Sequence, residues 1–458
     1  MRPGLRAPSQ PTHEAGSGAL QRVWLWRQQR RDGLPPLGGL MEHKGKRMAG
    51  GTRMTDEMRV VITGMGAVSP YGAGVPPLLD ALAEGRSAIR PIDDFDVSGC
   101  GCKHGARVPR GSLSALTGSN NLRRAPRGTQ YTMLATEEAL QMAGHGPSTW
   151  NPERVGVFLG TYRAMAEVSQ DIWHRIITSE PRFVQPLLFQ ETVTNAVASA
   201  LSIRWGWRGT NYAISAGNAC GFQVLALAAQ ALRSGRADAL IAGTFDLFTT
   251  ATHFDMDDIG VLSDANVSRP FDTRRDGYIM GEGAAVVVLE TLASARARGA
   301  TPLAEIAGLG VAHDGHAFGI HHPEGRGLAS AMSQALRDAE ASPEAVDYIA
   351  AASNSTQSLD RAEVAALKTV MGAAASTVPL SSVKGLMGEA ESASDMFNLL
   401  ACVGAVRGGG LPVQAGIEQP EFELNLVRQP RPHRPVRTAL AHSYSFGGNA
   451  GAALVRAL

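Results

Sequence analysis

The stretch NYAISAGNACGFQVLALAAQALRSGRADALIAG, residues 211–243, carries the decision between fold classes. It opens on a β-like run, NYAIS (211–215), and closes on a second, ALIAG (239–243). Between them lies a small, apolar run, 221–235, whose residues 222–232 are apolar on nearly every face. That composition predicts a central, buried helix. Arg233 and Gly235 supply its last-turn cation and its stop. Strand, helix and strand at this spacing are the unit of a parallel sheet covered by helices.

The same alternation extends in both directions. RVVITG (59–64), RVGVFLG (154–160) and GAAVVVLE (283–290) read as strands, and ASALSIRWG (198–206) as a helix. After LAEIAGLG (303–310) the series begins again: helix 327–340, strand DYIAA (347–351), helix 360–371, strand VPLSS (378–382), helix 392–406 and strand RTALAHSY (437–444). Two successive series predict an α/β chain of two similar halves, 58–302 and 303–458, with parallel sheets covered on both faces. Residues 1–57 stand apart. They are rich in Arg, Gly, Pro and Gln without a sustained period, and read as a disordered leader or a start placed too early.

Composition excludes several function classes. A formal net charge of +1 over 458 residues lacks the basic field of a nucleic-acid binder. No apolar run reaches the ~20 residues of a membrane span. Four cysteines, Cys100, Cys102, Cys220 and Cys402, are too few for a disulfide framework and suit a reducing cytoplasm. Cys100 and Cys102 do not have zinc-clip spacing, so no metal is expected. TGMGAVSPYG (63–72) has Gly64 and Gly66 but Ser69 at the third glycine position, so the dinucleotide fingerprint fails.

Cys220 stands where the strand turns into the long helix. A helix N-terminus favours thiolate over thiol, and its free N–H groups can hold an oxyanion. An inert, buried cysteine fits the same placement.

Longer motifs decide between the two. VVITGMGAVSPYG (60–72), ACGFQ (219–223), SRPFDTRRDGYIMGEGAAVVVLE (268–290), SSVKGLMG (381–388) and SYSFGGNAG (443–451) resemble, in order, those of the β-ketoacyl synthases of acyl-carrier-protein systems, in the branch shared by type II fatty acid and polyketide synthesis. The resemblance implies a thiolase fold: two duplicated α/β halves in a layered αβαβα core, usually dimeric. It implies Cys220 as nucleophile, with the backbone N–H groups of Cys220 and Tyr444 as oxyanion donors. Tyr444 and Phe446 would gate the acyl pocket, and Asn354 and Thr356 would meet the pantetheine arm. The resemblance implies no bound cofactor, since substrates ride on the phosphopantetheine of acyl carrier protein. Arg163, Arg269, Arg274 and Arg275 are basic candidates for the acidic carrier, and His321 and His322 for loop residues near its entrance.

Two departures weigh more than the matches. The positions of the family's two catalytic histidines hold Ala352 and Glu389, while Lys384 is retained. Decarboxylation of a malonyl thioester makes an enolate, and one hydrogen-bond donor to such an oxyanion is worth roughly 3–4 kcal/mol. Ala352 offers none, and an ionised Glu389 repels the charge. Glu389 or Glu391 is expected as the ion partner of Lys384, because Asn398 replaces the family's glutamate; a base for Cys220 is the other role open to Glu389. His442 is expected to be a packed, hydrogen-bonded histidine. Three functions remain open. The first is a chain-length-factor-like subunit paired with a histidine-bearing ketosynthase, the second a non-decarboxylating acyltransferase or thioesterase acting through Cys220, and the third a non-catalytic carrier-binding scaffold. Either a heterodimer or a homodimer fits.

Overall fold

The computed structural model describes residues 55–115, 125–146, 148–430 and 435–458. The expected leader lies outside them up to residue 54. Ten strands form one sheet path: β1 (Val60–Ser69), β2 (Val155–Gly160), β3 (Asn211–Ile214), β4 (Ala239–Asp246), β5 (Gly283–Thr291), β6 (Ala304–His313), β7 (Tyr348–Ala350), β8 (Leu380–Ser381), β9 (Thr438–Tyr444) and β10 (Asn449–Arg456). They lie in the order β3-β2-β4-β5-β1-β6-β10-β9-β7-β8. The first five strands therefore follow the order third, second, fourth, fifth, first, and the last five repeat it. The chain is duplicated, and the halves meet where β1 pairs antiparallel with β6, Val60 opposite Ile306.

The sheets are mixed, which corrects the expectation of parallel ones. β3, β2 and β4 are parallel, as are β8, β7 and β9. β5 and β10 then return antiparallel and bring β1 and β6 beside them. β10 is a strand that the alternation did not predict: from Asn449 the chain hairpins back on β9.

Helices fill three layers around the two half-sheets. α1 (Arg127–Met142) covers the outer face of the first half. α2 (Cys220–Arg233) lies inside, and the short α3 (Thr250–Asp258) follows β4. α4 (Arg326–Asp338) and α5 (Gln357–Met371) cover the second half, and α6 (Ala393–Val406) joins α2 inside. Strand alternation divides the cores. On β5, Val287 and Leu289 point to the inner core with Phe222, Leu225, Phe397 and Leu400, while Val286 and Val288 point to the outer one with Tyr131 and Leu134. α6 is buried on all sides from Ala393 to Ala405. α2 is not, contrary to expectation: Leu227 is 42% exposed and Gln230 is exposed beside it.

The glycines that failed as a nucleotide fingerprint have a packing role. A Cβ on Gly64 or Gly66 of β1 would lie 1.9 Å from the carbonyl oxygen of Ala139 or Ala135 on α1. The second half repeats the device: Gly308 and Gly310 of β6 lie under Ala335 and Ala331 of α4, with Cβ approaches of 2.1 and 1.9 Å. Relief would require moving helix backbone. Gly66→Ala is therefore expected to cost about 3 kcal/mol, read as a lower urea midpoint at unchanged slope.

Candidate active site

Cys220 is the first residue of α2 and is fully buried. The chain reaches it from β3 through a turn with Gly217 in the left-handed region, φ 64°. Its thiol donates to the Ile214 carbonyl at 3.1 Å, and the absence of a side chain on Gly160 makes room for Sγ, since a Cβ there would lie 2.7 Å away. The C-terminal loop closes on the same turn. Ser443 donates to the Asn218 carbonyl at 3.1 Å, and a Cβ on Gly217 would strike the Ser445 hydroxyl at 2.0 Å.

The helix start does not make Cys220 a thiolate, and the electrostatic expectation is corrected. Burial pushes the thiol up to about 12, and the carboxyls of Asp395 and Asp246 push the same way. A helix N-terminus is worth at most ~2 kcal/mol. Raising a thiol that far takes roughly twice as much, so desolvation wins.

Asp395 was missed in the sequence because it lies 175 residues from Cys220, in the first turn of α6. Its Oδ2 accepts the Gly221 N–H at 2.9 Å, directly after the cysteine. Burial holds its carboxyl well above the ordinary range. Asp246, at the end of β4, is buried and raised by desolvation too. It ties together the Thr161 hydroxyl, the N–H groups of Tyr162 and Arg163, and Ser392.

Lys384 and Glu389 form a buried pair, Nζ to Oε2 2.8 Å, each 2% exposed. Lys384 also donates to the Ala352 carbonyl at 2.7 Å. Glu389 further accepts from the Ser394 hydroxyl at 2.7 Å and the Asn354 amide at 3.1 Å. Between the two roles open to Glu389, the geometry favours the ion pair, because both its oxygens are already engaged. Glu391 goes elsewhere, to Arg163 at 3.3 Å; burial raises it to about 7 despite that cation. Asn398 donates to the carbonyls of Ala351 and His442 and not to this pair.

Ala352 is fully buried, and its N–H donates to Glu363 at 2.8 Å. His442 Nε2 bonds the same Glu363, which also takes the Ser353 N–H at 2.7 Å, so His442 is packed and hydrogen-bonded. Burial would raise Glu363, but these partners hold it below its usual value. Asn354 and Thr356 are buried and bonded to each other, Thr356 Oγ1 to Asn354 Oδ1 2.8 Å. Tyr444 ends β9 with its hydroxyl on Asp314 and takes the His322 N–H at 3.2 Å.

His321 lies in the loop between β6 and α4, as expected, but it is buried. It is 3% exposed, packed between the rings of Tyr444 and Phe446 at 4.7 and 5.4 Å. Burial lowers it to about 4, so it is a neutral imidazole at pH 7, and among the described residues its Nε2 has no hydrogen-bond partner. The four arginines offered to the carrier are all in ion pairs: Arg163 with Glu391, Arg269 with Asp276 at 3.8 Å, and Arg274 with Asp272 and Glu418. Arg275 pairs with Glu421 and is 2% exposed, so it is withdrawn as a carrier contact.

Comparison with known proteins agrees with this architecture. Residues 57–295 match the family model "Beta-ketoacyl synthase, N-terminal domain", and residues 303–418 match "Beta-ketoacyl synthase, C-terminal domain". A putative polyketide beta-ketoacyl synthase 1 of Streptomyces cyaneus is 35% identical over 412 residues, spanning 86% of this chain and 96% of the relative. The 3-oxoacyl-[acyl-carrier-protein] synthase 2 of Coxiella burnetii is 31% identical over 404 residues, spanning 86% and 98%. Among solved structures, the ishigamide ketosynthase/chain length factor superposes with a TM-score of 0.82 at 26% identity, covering 87% of this chain and 99% of that one. A type II polyketide ketosynthase in complex with its acyl-carrier protein gives 0.79 at 26% identity, with the same coverage.

Proposed function

The chain belongs to the β-ketoacyl synthase family, and from that premise we propose that it is a chain-length-factor-like subunit of a type II polyketide or fatty acid synthase. Its partner is a histidine-bearing ketosynthase, its ligand an acyl carrier protein, and its compartment the cytoplasm. One observation carries the reading. Where two imidazoles would stabilise a malonyl-derived enolate, the chain has buried Ala352 and a Glu389 committed to Lys384. A carboxylate paired in this way offers no proton to an enolate oxygen.

A surface suited to a second subunit supports the same reading. β3 is an edge strand of the sheet, and Tyr212 on it is 49% exposed. The helix Ala196–Trp205 packs on β3 and leaves Ile203 81% exposed. An open strand edge with apolar side chains is what a partner's strand covers. Among the described residues no helix is long and apolar enough to cross a membrane.

The test is coexpression with a histidine-bearing ketosynthase and a carrier protein. The two subunits are expected to copurify, and Cys220→Ala in this chain is expected to leave product formation within about twofold. The chain alone is expected to decarboxylate malonyl-carrier at least ~10³-fold more slowly than the partner. Synthase-like turnover by the isolated chain overturns the proposal.

A second reading, acyl transfer without decarboxylation, is favoured by the retained Cys220 and the neutral His321 packed against Tyr444 and Phe446. A mass shift on Cys220 after exposure to acyl-carrier thioester, with no partner present, would select it.

A further inference from the structure

We propose that Cys100, His253 and Asp257 form a binding site for one zinc-type divalent metal ion, which fastens the loop around residues 97–104 to α3. The Cys100 sulfur, a ring nitrogen of His253 and a carboxylate oxygen of Asp257 all lie within 4.8 Å of one another. Ligands of a tetrahedral zinc ion sit ~2.0–2.3 Å from the metal, and so roughly 3.5 Å apart. A contraction of about an ångström closes the three donors onto an ion.

The local structure already holds them in place. His253 and Asp257 are four residues apart on α3 and share one face of it. Asp257 accepts the N–H groups of Gly101 at 3.0 Å and Cys102 at 2.9 Å, which straps the cysteine loop to the helix. Gly101 permits the close approach, since a Cβ there would lie 2.0 Å from a carboxylate oxygen of Asp264.

His253 supplies the second, independent observation. It is 0% exposed, and its Nε2 lies 2.9 Å from the Cys102 carbonyl. A carbonyl only accepts, so Nε2 carries the proton and Nδ1 is left with a bare lone pair. Nδ1 has no partner. A buried acceptor without a donor is unfavourable. Coordination through Nδ1, with Nε2 kept on the Cys102 carbonyl, would be the arrangement that second-shell bonding gives to metal-ligating histidines. The ring is also boxed in by Phe95 at 5.6 Å and Phe248 at 6.1 Å, so it cannot swing out to water.

The donor set selects the ion. Thiolate, imidazole and carboxylate suit zinc or its cobalt analogue and not magnesium or calcium, which take oxygen ligands. Binding exchanges the Cys100 thiol proton for the metal and releases that proton to solvent. The spacing of Cys100 and Cys102 gave no sign of this, because the other two ligands lie about 150 residues away in the sequence.

The test uses the full chain, stripped with a chelator and titrated with Co²⁺ alone and with Zn²⁺ alone. One Co²⁺ per chain is expected, with a thiolate-to-cobalt charge-transfer band that Zn²⁺ abolishes by displacement. Cys100→Ser is expected to remove the band and to weaken Zn²⁺ binding by on the order of 100-fold. Cys100 is only partly buried, so this variant is expected to keep the metal-free melting temperature; Cys402→Ser keeps the band. The proposal is overturned if no stoichiometric site appears, if the band survives in Cys100→Ser, or if it is lost only in Cys220→Ser.

Discussion

Lys384→Met is expected to destabilise the protein by ~3–5 kcal/mol, the cost of leaving one member of a buried ion pair without its partner. Glu389 would keep the Ser394 and Asn354 hydrogen bonds but lose the cation paired with it. The Ala352 carbonyl would lose its donor as well. The double variant Lys384→Met/Glu389→Gln removes both charges and is expected to recover most of the loss, since buried pairs replaced together are often near neutral. Urea unfolding of the single and double variants reads the cycle directly. A single variant within 1 kcal/mol of wild type would show that Glu389 needs no cation, and would remove the basis for the ion-pair role. The same measurement bears on function, because a Glu389 free of Lys384 would be available as an acid or base.

Alkylation of Cys220 by iodoacetamide at pH 8 is expected to be at least ~10²-fold slower in the native protein than in urea. A thiol raised to about 12 is thiolate in only about one molecule in 10⁴ at that pH. An ordinary thiol near ~8.5 is about one quarter ionised there. The greater nucleophilicity of the more basic thiolate recovers part of the difference, and the lack of exposure adds to it. The native rate is expected to rise tenfold per pH unit from 7 to 10, followed by mass spectrometry of the peptide that contains Cys220. Fast, pH-independent labelling at neutral pH would mean a resident thiolate and would refute the account of burial. Linkage fixes the sign for stability. The folded thiol is raised, so the unfolded chain loses its proton first, and stability falls as pH rises from ~8.5 toward the folded value, by up to ~1.4 kcal/mol per unit. Cys102, raised by burial to about 11, adds to the same alkaline loss.

Motifs and periodicity carried the sequence reading a long way at particular residues. The alternation through 211–243 is the observed β3, α2 and β4, and the restart after 303 is the observed repeat of strand order. Ala352 and Glu389 were legible as the occupants of the expected histidine positions only through the resemblance, with Lys384 retained beside them. Strand direction was not legible, since a strand that returns antiparallel has the same composition as one that runs parallel. Gly64 and Gly66 were legible as a failed nucleotide loop, but not as the floor under α1.

The amino-acid sequence by itself determined the duplicated α/β architecture and the cysteine at a strand-to-helix turn, and it put Ala352 and Glu389 where the resemblance expects histidines. These are local or periodic properties of the chain. Only the tertiary structure decided the state of the site. It buried Cys220 against Asp395 and Asp246, gave Glu389 to Lys384 and Glu391 to Arg163, and set His321 against the Tyr444 ring. Charge, protonation and pairing depend on desolvation and on neighbours far away in the chain, and neither is fixed until the layers pack.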